Sequence, residues 1–310
     1  MSQFTCTALA IVIGLSVLAG ATAEPLAASP LGTPEATPAA EDAYAHPEWL
    51  ADAAWLRAHL GNPRVRVIAL TPQEDFARGH IPGAVQIDWP ALEIVETSDQ
   101  SVAHWRGEVE RQLTELGVQP DQTVVVYDGG TLYAARLWWI LYQLGHADVR
   151  VLNGGLPAWI ASGGPVETGP AHAPPAPHPY AGKPDESAIA TLDEVKAALD
   201  DPDVVLVDAR SPAEYAAGHI PGAINVEFTQ NAEPGQPRYW KRASELRAMY
   251  AALGITPDKH VIPYCLTGVR SAATYFTLRL IGYDDVTLFT GSWKEWSSHQ
   301  DLPVRTGSAP

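Results

Sequence analysis

The segment Gly-His-Ile-Pro-Gly-Ala occurs twice in this chain, at residues 79–84 and again at residues 218–223. Two further pairs follow in the same order: VVYD (125–128) with IPYC (262–265), and LNGGLPAW (152–159) with FTGSWKEW (289–296). Similar segments that recur in a constant order indicate a duplicated domain.

Each copy contains the same series of predicted elements. The helices are expected over residues 49–60, 134–144, 192–199 and 272–281, and the strands over residues 65–70, 123–127, 149–152, 204–207, 259–264 and 286–289. Strands that alternate with helices predict an α/β fold, in which each copy forms a parallel sheet flanked by helices on both faces. Ligands of such sheets bind at the carboxyl ends of the strands.

Two stretches rich in proline and alanine separate the copies from each other and from the N-terminus. Proline at this density favours extended, linking structure over a packed core. We therefore predict a signal peptide (1–23), a flexible linker (24–45), a first domain (46–166), an interdomain linker (167–187) and a second domain (188–310).

The N-terminus has the pattern of an export signal. Residues 9–18 form an apolar run, and Ala-Thr-Ala at residues 21–23 is typical of a signal peptidase site, so we expect cleavage after Ala23 and export to the periplasm or the medium. A membrane anchor is the alternative, although a span needs about 20 apolar residues. Cleavage would remove Cys6 and leave Cys265 as the sole cysteine, which excludes an internal disulfide.

The charge of the chain excludes several classes of partner. A formal net charge of -16 argues against nucleic acid and anionic membranes, which are bound by clustered lysines and arginines. An anionic ligand would need a local site of backbone N–H groups and a few arginines. The sequence contains no metal, nucleotide or haem motif, so no cofactor is expected. Separately, we expect a monomer.

We expect the catalytic residues in the loop that follows the strand ending at Tyr264. Cys265 starts this loop, Gly268 lets it curve, and Arg270 adds a positive charge where a helix begins. Backbone N–H groups at a helix start, together with the guanidinium, should favour the nucleophilic thiolate of Cys265. A buried, inert cysteine is the alternative interpretation.

The chain resembles the two-domain rhodaneses and 3-mercaptopyruvate sulfurtransferases over residues 46–306. The resemblance lies in the duplicated GHIPGA turns, in YDGG followed by AARLWW, in LNGGLPAW and in GSWKEW. The resemblance implies that Cys265 carries sulfur as a persulfide and that the first copy, with Asp128 at the matching position, is non-catalytic. It also implies a six-residue binding loop and an anion-binding Arg210, so the expected substrate-binding residues are Leu266, Thr267, Gly268, Val269, Arg270 and Arg210. A structural ion pair is the alternative for Arg210.

The resemblance implies that sulfane sulfur moves from a small-molecule donor to cyanide or a thiol acceptor. Four residues separate Cys265 from Arg270, one fewer than in related phosphatases, which favours sulfur over phosphate. Thiosulfate is the expected donor, 3-mercaptopyruvate is the alternative, and a non-catalytic module that relays persulfide is a third possibility. We expect Arg270 to project into solvent, so that its loss would change stability little.

Overall fold

A computed structural model describes residues 42–170 and 174–310 of the chain. The predicted signal peptide and the linker as far as residue 41 lie outside the described residues. Residues 42–45 of the predicted flexible linker are held against the second repeat: the Tyr44 hydroxyl donates to the carbonyl oxygen of Lys241 (2.7 Å), and the Ala45 N–H donates to that of Leu280 (2.9 Å).

The first repeat forms a five-stranded sheet. Its strands are β1 (Leu50–Ala51), β2 (Val65–Leu70), β3 (Val85–Ile87), β4 (Thr123–Tyr127) and β5 (Asp148–Leu152), and its helices are α1 (Ala53–His59), α2 (Gln73–Arg78), α3 (Asp99–Glu115), α4 (Ala134–Gln143) and α5 (Gly155–Ala161). The strand order is β1-β5-β4-β2-β3, and all neighbours are parallel.

The second repeat has a three-stranded parallel sheet in the order β7-β6-β8. Its elements are α6 (Leu192–Ala198), β6 (Val204–Asp208), α7 (Pro212–Ala217), β7 (Ile224–Asn225), α8 (Ala243–Ala251), β8 (His260–Tyr264), α9 (Val269–Leu280) and α10 (Ser292–Trp296). The predicted α/β fold with parallel sheets flanked by helices is confirmed.

The prediction of a continuous strand over residues 286–289 was wrong. This segment makes only isolated parallel bridges, from Val286 to Val261 and from Leu288 to Ile189. Thr287 donates to the carbonyl oxygen of Val261, and Phe289 donates to that of Pro263. The ladder is interrupted because Pro263 in β8 has no N–H to donate.

The helix predicted over residues 49–60 is shorter than expected. Leu50 and Ala51 pair with β5 as strand β1, and the Asp52 side chain accepts a hydrogen bond from the Trp55 N–H (2.6 Å) as an N-cap. The helix therefore begins at Ala53. The last long helix starts earlier than predicted, at Val269, so the last two residues of the six-residue loop from Cys265 to Arg270 are already helical.

Buried apolar side chains form three clusters. One cluster fills the outer face of the first sheet, under α1, α2 and α5, and a second fills the outer face of the other sheet, under α6, α7 and α10. The largest cluster joins the inner faces of both sheets through α3, α4, α8 and α9. Successive strand residues point to opposite faces, so Val67 lies in an outer cluster and Ile68 in the shared one.

The proline-rich linker between the repeats packs along α3 and α4 over its described part. The Tyr180 N–H donates to Thr114 Oγ1 (2.8 Å), and the Lys183 N–H donates to the carbonyl oxygen of Leu144 (2.8 Å). In residues 42–170 and 174–310, no helix is both long and apolar enough to cross a membrane.

Candidate active site

Cys265 lies directly after β8, and the loop that it starts leads into α9. Gly268, the residue before this helix, has a φ of +82°, a conformation that favours glycine. A Cβ at this position would lie 2.7 Å from the carbonyl oxygen of Thr290 and 3.2 Å from Arg136 Nη1. Only glycine fits both the backbone conformation and the space.

The peptide groups of Cys265 and Leu266 are fixed by the start of α10. The Cys265 N–H donates to Ser292 Oγ (3.1 Å), and the Ser292 hydroxyl donates onward to the carbonyl oxygen of Phe289 (2.8 Å). The carbonyl oxygens of Cys265 and Leu266 accept from the N–H groups of Trp293 and Lys294, both at 3.0 Å. The backbone that carries the thiol is therefore held on both sides.

The matching loop of the first repeat holds the carboxylate of its own Asp128. Oδ1 accepts from the N–H groups of Gly130 (2.6 Å) and Thr131 (2.8 Å), and Oδ2 accepts from Ala134 N–H (2.7 Å). A turn of this kind, followed by a helix, thus surrounds an anion with backbone donors. The sequence identified Asp128 only as the residue in place of the cysteine. It did not predict that the N–H groups of the loop bind the Asp128 carboxylate.

The second loop has backbone N–H groups at the corresponding positions and no internal carboxylate. Its conformation differs, because its positive φ falls at Gly268 and its helix begins four residues after Cys265, whereas α4 begins six residues after Asp128. Thr267 and Gly268 follow Cys265 as Gly130 and Thr131 follow Asp128. Among the described residues, no acceptor binds the N–H of Leu266, Thr267 or Gly268. Cys265 itself is 1% exposed, whereas the neighbouring Leu266 side chain is 43% exposed and Val269 is buried. The loop can therefore bind an anion next to the sulfur.

The expectation that Arg270 projects into solvent was wrong. Its Nη1 and Nη2 donate to Oε2 and Oε1 of Glu214 on α7, both at 2.8 Å, and the Arg270 side chain is only 18% exposed. The bonds to Glu214 raise the pKa of Arg270 against the opposing effect of burial, and the negative charge of Cys265 adds to the rise. In return, Arg270 is the main cause, with hydrogen bonds from Ser211, of a pKa of Glu214 that is lowered to about 2.

Arg210 is placed in a buried ion pair. Its Nη2 donates to Asp208 Oδ2 (2.5 Å) and to the carbonyl oxygen of Gly218 (2.7 Å), and its guanidinium lies over the Trp293 ring. These contacts correspond to the structural alternative that the sequence left open. Binding of the donor by Arg210 stays a prediction.

The first repeat also contributes side chains near the loop. Tyr133, which precedes α4, is half-buried, and burial raises its pKa while Arg270 and Cys265 act on it electrostatically. Arg136 on α4 donates from Nη1 to Thr290 Oγ1 (2.8 Å), beside Gly268. Sequence reasoning missed Arg136, Glu214 and Ser292. Of these, Ser292 could have been found, because it stands where the aligned segment of the first repeat has Gly155.

No group of three or more His, Cys, Asp or Glu side chains in the described part of the chain could hold a metal ion. His80 and His219 serve the repeated turns instead. His219 Nδ1 lies 2.8 Å from the carbonyl oxygen of Tyr215, whose ring stacks on the imidazole, and His80 repeats this arrangement with Phe76.

Known proteins share this duplicated architecture. The family model described as a rhodanese-like domain matches the chain twice, at residues 52–162 and 191–299. The structure of SseA from Escherichia coli, described among 3-mercaptopyruvate sulfotransferases, superposes with a TM-score of 0.71 at 30% identity, over 80% of this chain and 99% of its own.

Two curated relatives have slightly higher identity. The sulfur carrier protein TtuD of Thermus thermophilus is 37% identical, over 85% of this chain and 99% of its own. A thiosulfate sulfurtransferase of Pseudomonas aeruginosa is 36% identical, over 80% of this chain and 94% of its own. The relatives therefore include proteins named for sulfur transfer from different donors.

Proposed function

Because the chain belongs to the rhodanese-like family of sulfurtransferases, we propose that it moves sulfane sulfur from thiosulfate to cyanide or a thiol through a persulfide on Cys265. The observation that carries the proposal is the pair of matching loops. The first repeat surrounds the Asp128 carboxylate with backbone donors, and the second presents such donors beside the only cysteine of the described residues.

The proposed reaction has two half-reactions. The Cys265 thiolate attacks the outer sulfur of thiosulfate, the sulfur–sulfur bond of thiosulfate breaks, and sulfite leaves with the bonding electron pair. The resulting persulfide anion is stabilised by the loop N–H groups and by Arg270. Cyanide then attacks the outer sulfur, thiocyanate leaves, and the thiolate is restored. The cycle needs no external oxidant or reductant.

Steady-state kinetics and mass spectrometry test this proposal. We expect a gain of one sulfur atom on Cys265 after thiosulfate treatment, repeated release of thiocyanate with cyanide, and parallel double-reciprocal lines. The Cys265→Ser variant should show none of these. Intersecting lines, or turnover in the serine variant, would refute a persulfide intermediate on Cys265.

A second candidate donor is 3-mercaptopyruvate. The similarity to SseA of Escherichia coli supports it, whereas the thiosulfate sulfurtransferase of Pseudomonas aeruginosa supports thiosulfate. Arg270, at the start of α9, adds a positive charge that favours the more highly charged donor, thiosulfate, although its bonds to Glu214 offset part of that charge. The ratio of kcat/KM for the two donors decides, and a large preference for mercaptopyruvate would replace thiosulfate in the proposal.

A third candidate is a persulfide relay that delivers sulfur to a protein. The 37% identity to the sulfur carrier protein TtuD supports this candidate. A relay would gain one sulfur on Cys265 like an enzyme, but it would not release thiocyanate over many turnovers. Counting turnovers per protein molecule with cyanide therefore separates the two.

We also propose export, on the apolar run at residues 9–18 and the Ala-Thr-Ala at residues 21–23. Expression in a bacterial host should yield a protein that begins at Glu24 in the periplasmic fraction. N-terminal sequencing of that fraction checks the prediction. An intact N-terminus in the cytoplasmic fraction would contradict it.

A further inference from the structure

Helix α10 carries a lysine in the segment that contacts the Cys265 loop. The Lys294 N–H donates to the carbonyl oxygen of Leu266 (3.0 Å), and the Leu266 side chain is 43% exposed. In the aligned segments LNGGLPAW and FTGSWKEW, the first repeat has Pro157 where the second has Lys294. Lys294 therefore adds a positive charge beside the loop of the repeat that has the cysteine, and this charge has no counterpart in the other repeat.

The carboxylate that pairs with Lys294 belongs to the first repeat. Lys294 Nζ donates to Oε2 of Glu93, in the segment between β3 and α3, over a distance of 3.4 Å. The Lys294 side chain is 47% exposed and that of Glu93 is 24% exposed. Pairs with this exposure contribute little to stability, so the ammonium can leave Glu93 at little cost. We call Leu266, Lys294 and Glu93 the rim of the loop.

The two arginines that were predicted to bind the donor are held more tightly than Lys294. Arg270 makes two bonds of 2.8 Å to Glu214, and Arg210 donates to Asp208 over 2.5 Å. A fixed carboxylate thus offsets part of each guanidinium charge. Lysine has a flexible stem and a compact ammonium with three donors, so Lys294 can turn from Glu93 toward a ligand.

An anionic donor must approach a protein whose formal net charge is -16. Repulsion by that charge slows the encounter with thiosulfate, a dianion, more than the encounter with a monoanion. A positive charge at the entrance of a site raises the local concentration of an anion and its rate of association. A loosely paired lysine on the rim supplies such a charge.

We propose that Lys294 recruits anionic sulfur donors to the Cys265 loop and that Glu93 competes with the donor for the Lys294 ammonium. The proposal rests on the sulfur transfer proposed above and adds to it a residue that determines the preference for donor charge. Lys294 takes no part in the bond-making step. The two partners of the pair must then have opposite effects on donor use.

The first test compares kcat/KM for thiosulfate at low ionic strength in Lys294→Met, Lys294→Arg and Glu93→Gln. We expect Lys294→Met to lower kcat/KM about fivefold through KM with kcat unchanged, and Lys294→Arg to keep most of it. Glu93→Gln should raise kcat/KM about twofold, because the ammonium loses its competitor. A decrease in both neutral variants would assign the pair a purely structural role and overturn the proposal.

The salt dependence and a matched control separate a local charge from the net charge of the protein. The screening length is about 3 Å at about 1 M salt and about 10 Å at about 0.1 M, so Lys294→Met and wild type should converge at high salt. The control is Lys259→Met, because Lys259 pairs with Asp203 (2.8 Å) and precedes β8, at the end of the strand opposite Cys265. Equal decreases in the two methionine variants would overturn the proposal.

Alkylation of Cys265 tests the inference without turnover. Iodoacetate is an anion and iodoacetamide is neutral, and both react with the thiolate. The ratio of their rates, followed on the Cys265 peptide by mass spectrometry, reports the electrostatic potential at the rim and cancels any change in the thiolate fraction. We expect Lys294→Met to lower the ratio of iodoacetate to iodoacetamide rates and Glu93→Gln to raise it. Unchanged ratios in both variants would overturn the proposal.

These measurements distinguish failure of the inference from failure of the proposed function. Wild-type protein that releases no thiocyanate would refute the sulfurtransferase proposal, and the alkylation ratios would still decide whether Lys294 attracts anions to the loop. Wild-type turnover combined with equal alkylation ratios in all variants would refute only the role of Lys294.

Discussion

Ser292 Oγ accepts a hydrogen bond from the Cys265 N–H, and Ser292 holds this position with a φ of +57°. The first repeat has Gly155 at the matching place, with a φ of +59°. A left-handed conformation costs a non-glycine residue about 1 kcal/mol or more. The second repeat therefore keeps a strained serine where the backbone favours glycine, at the point where it fixes the candidate nucleophile.

Replacing Ser292 should separate stability from activity. Ser292→Gly relieves the backbone strain and loses the acceptor of the Cys265 N–H, whereas Ser292→Ala loses the acceptor and keeps the strain. We expect kcat/KM for thiosulfate to fall about tenfold in both variants. The free energy of unfolding should be about 1 kcal/mol higher in the glycine variant than in the alanine variant. Wild-type kcat/KM in either variant would show that the hydroxyl does not position Cys265.

Removing Arg270 should affect both donor use and stability. Arg270→Ala deletes a charge beside the loop and leaves the Glu214 carboxylate with only its hydrogen bonds from Ser211. A loss of about 2 kcal/mol of transition-state stabilisation corresponds to a decrease of about 30-fold in kcat/KM for thiosulfate. We also expect a lower melting temperature, because the bidentate pair is half-buried.

The matched control for Arg270 is Arg78→Ala. Arg78 pairs with Asp75 on α2, the equivalent helix of the first repeat, but its side chain is largely exposed. Loss of this surface pair should change neither kcat/KM nor the melting temperature appreciably. An equal loss of stability in both variants would mean that the bond between Arg270 and Glu214 contributes no more than an ordinary surface pair.

The Glu214–Arg270 pair predicts an acid-dependent loss of stability. The pKa of Glu214 is lowered from 4.5 to about 2, so the folded state binds a proton less readily than the unfolded chain does. The contribution of the pair is therefore fully present above pH 4.5 and is lost as the pH falls toward about 2.

Urea unfolding of wild type and of Glu214→Gln checks this dependence. The difference in their free energies of unfolding should be constant above pH 4.5 and should shrink between pH 4.5 and about 2. Glu74→Gln is the control, because Glu74 is exposed and makes no ion pair in the described part of the chain. A difference that stays constant down to about pH 2 would contradict the assigned pair.

Gly268→Ala should disturb the loop by more than backbone strain alone. The new Cβ would lie 2.7 Å from the Thr290 carbonyl oxygen and 2.8 Å from Thr290 Oγ1, besides adopting a φ of +82°. Gly222→Ala is the matched control, since Gly222 has a φ of +80° and no atom near the position of a Cβ.

We expect the control to lose about 1 kcal/mol of unfolding free energy and to keep its activity. Gly268→Ala should lose more stability and most of its kcat/KM, because the clash moves the loop N–H groups. Equal losses in the two variants, measured by urea unfolding and thiocyanate release, would show that space around Gly268 is not limiting.

The sequence predicted those features that contiguous residues encode. The paired GHIPGA turns predicted the duplication, and alternating apolar strands and amphipathic helices predicted the parallel sheets. The position of Cys265 between an apolar strand and a helix followed from the same pattern. Pro263 was visible in the sequence, but its effect on the neighbouring strand was not predicted. Its missing N–H interrupts the ladder, so residues 286–289 form isolated bridges instead of a continuous strand.

Only the tertiary structure decided which distant side chains surround Cys265. Arg136, Glu214 and Ser292 lie on α4, α7 and α10. Only Ser292 had a signal in the sequence, as the residue aligned with Gly155, and nothing near Arg136 or Glu214 indicates that they meet the same loop. Arg270 was expected in solvent because a loop arginine usually is, and packing of α7 against the loop gave it Glu214 instead. Local propensity acts along the chain and can be read from it, whereas charge pairing and burial depend on which surfaces the fold brings together.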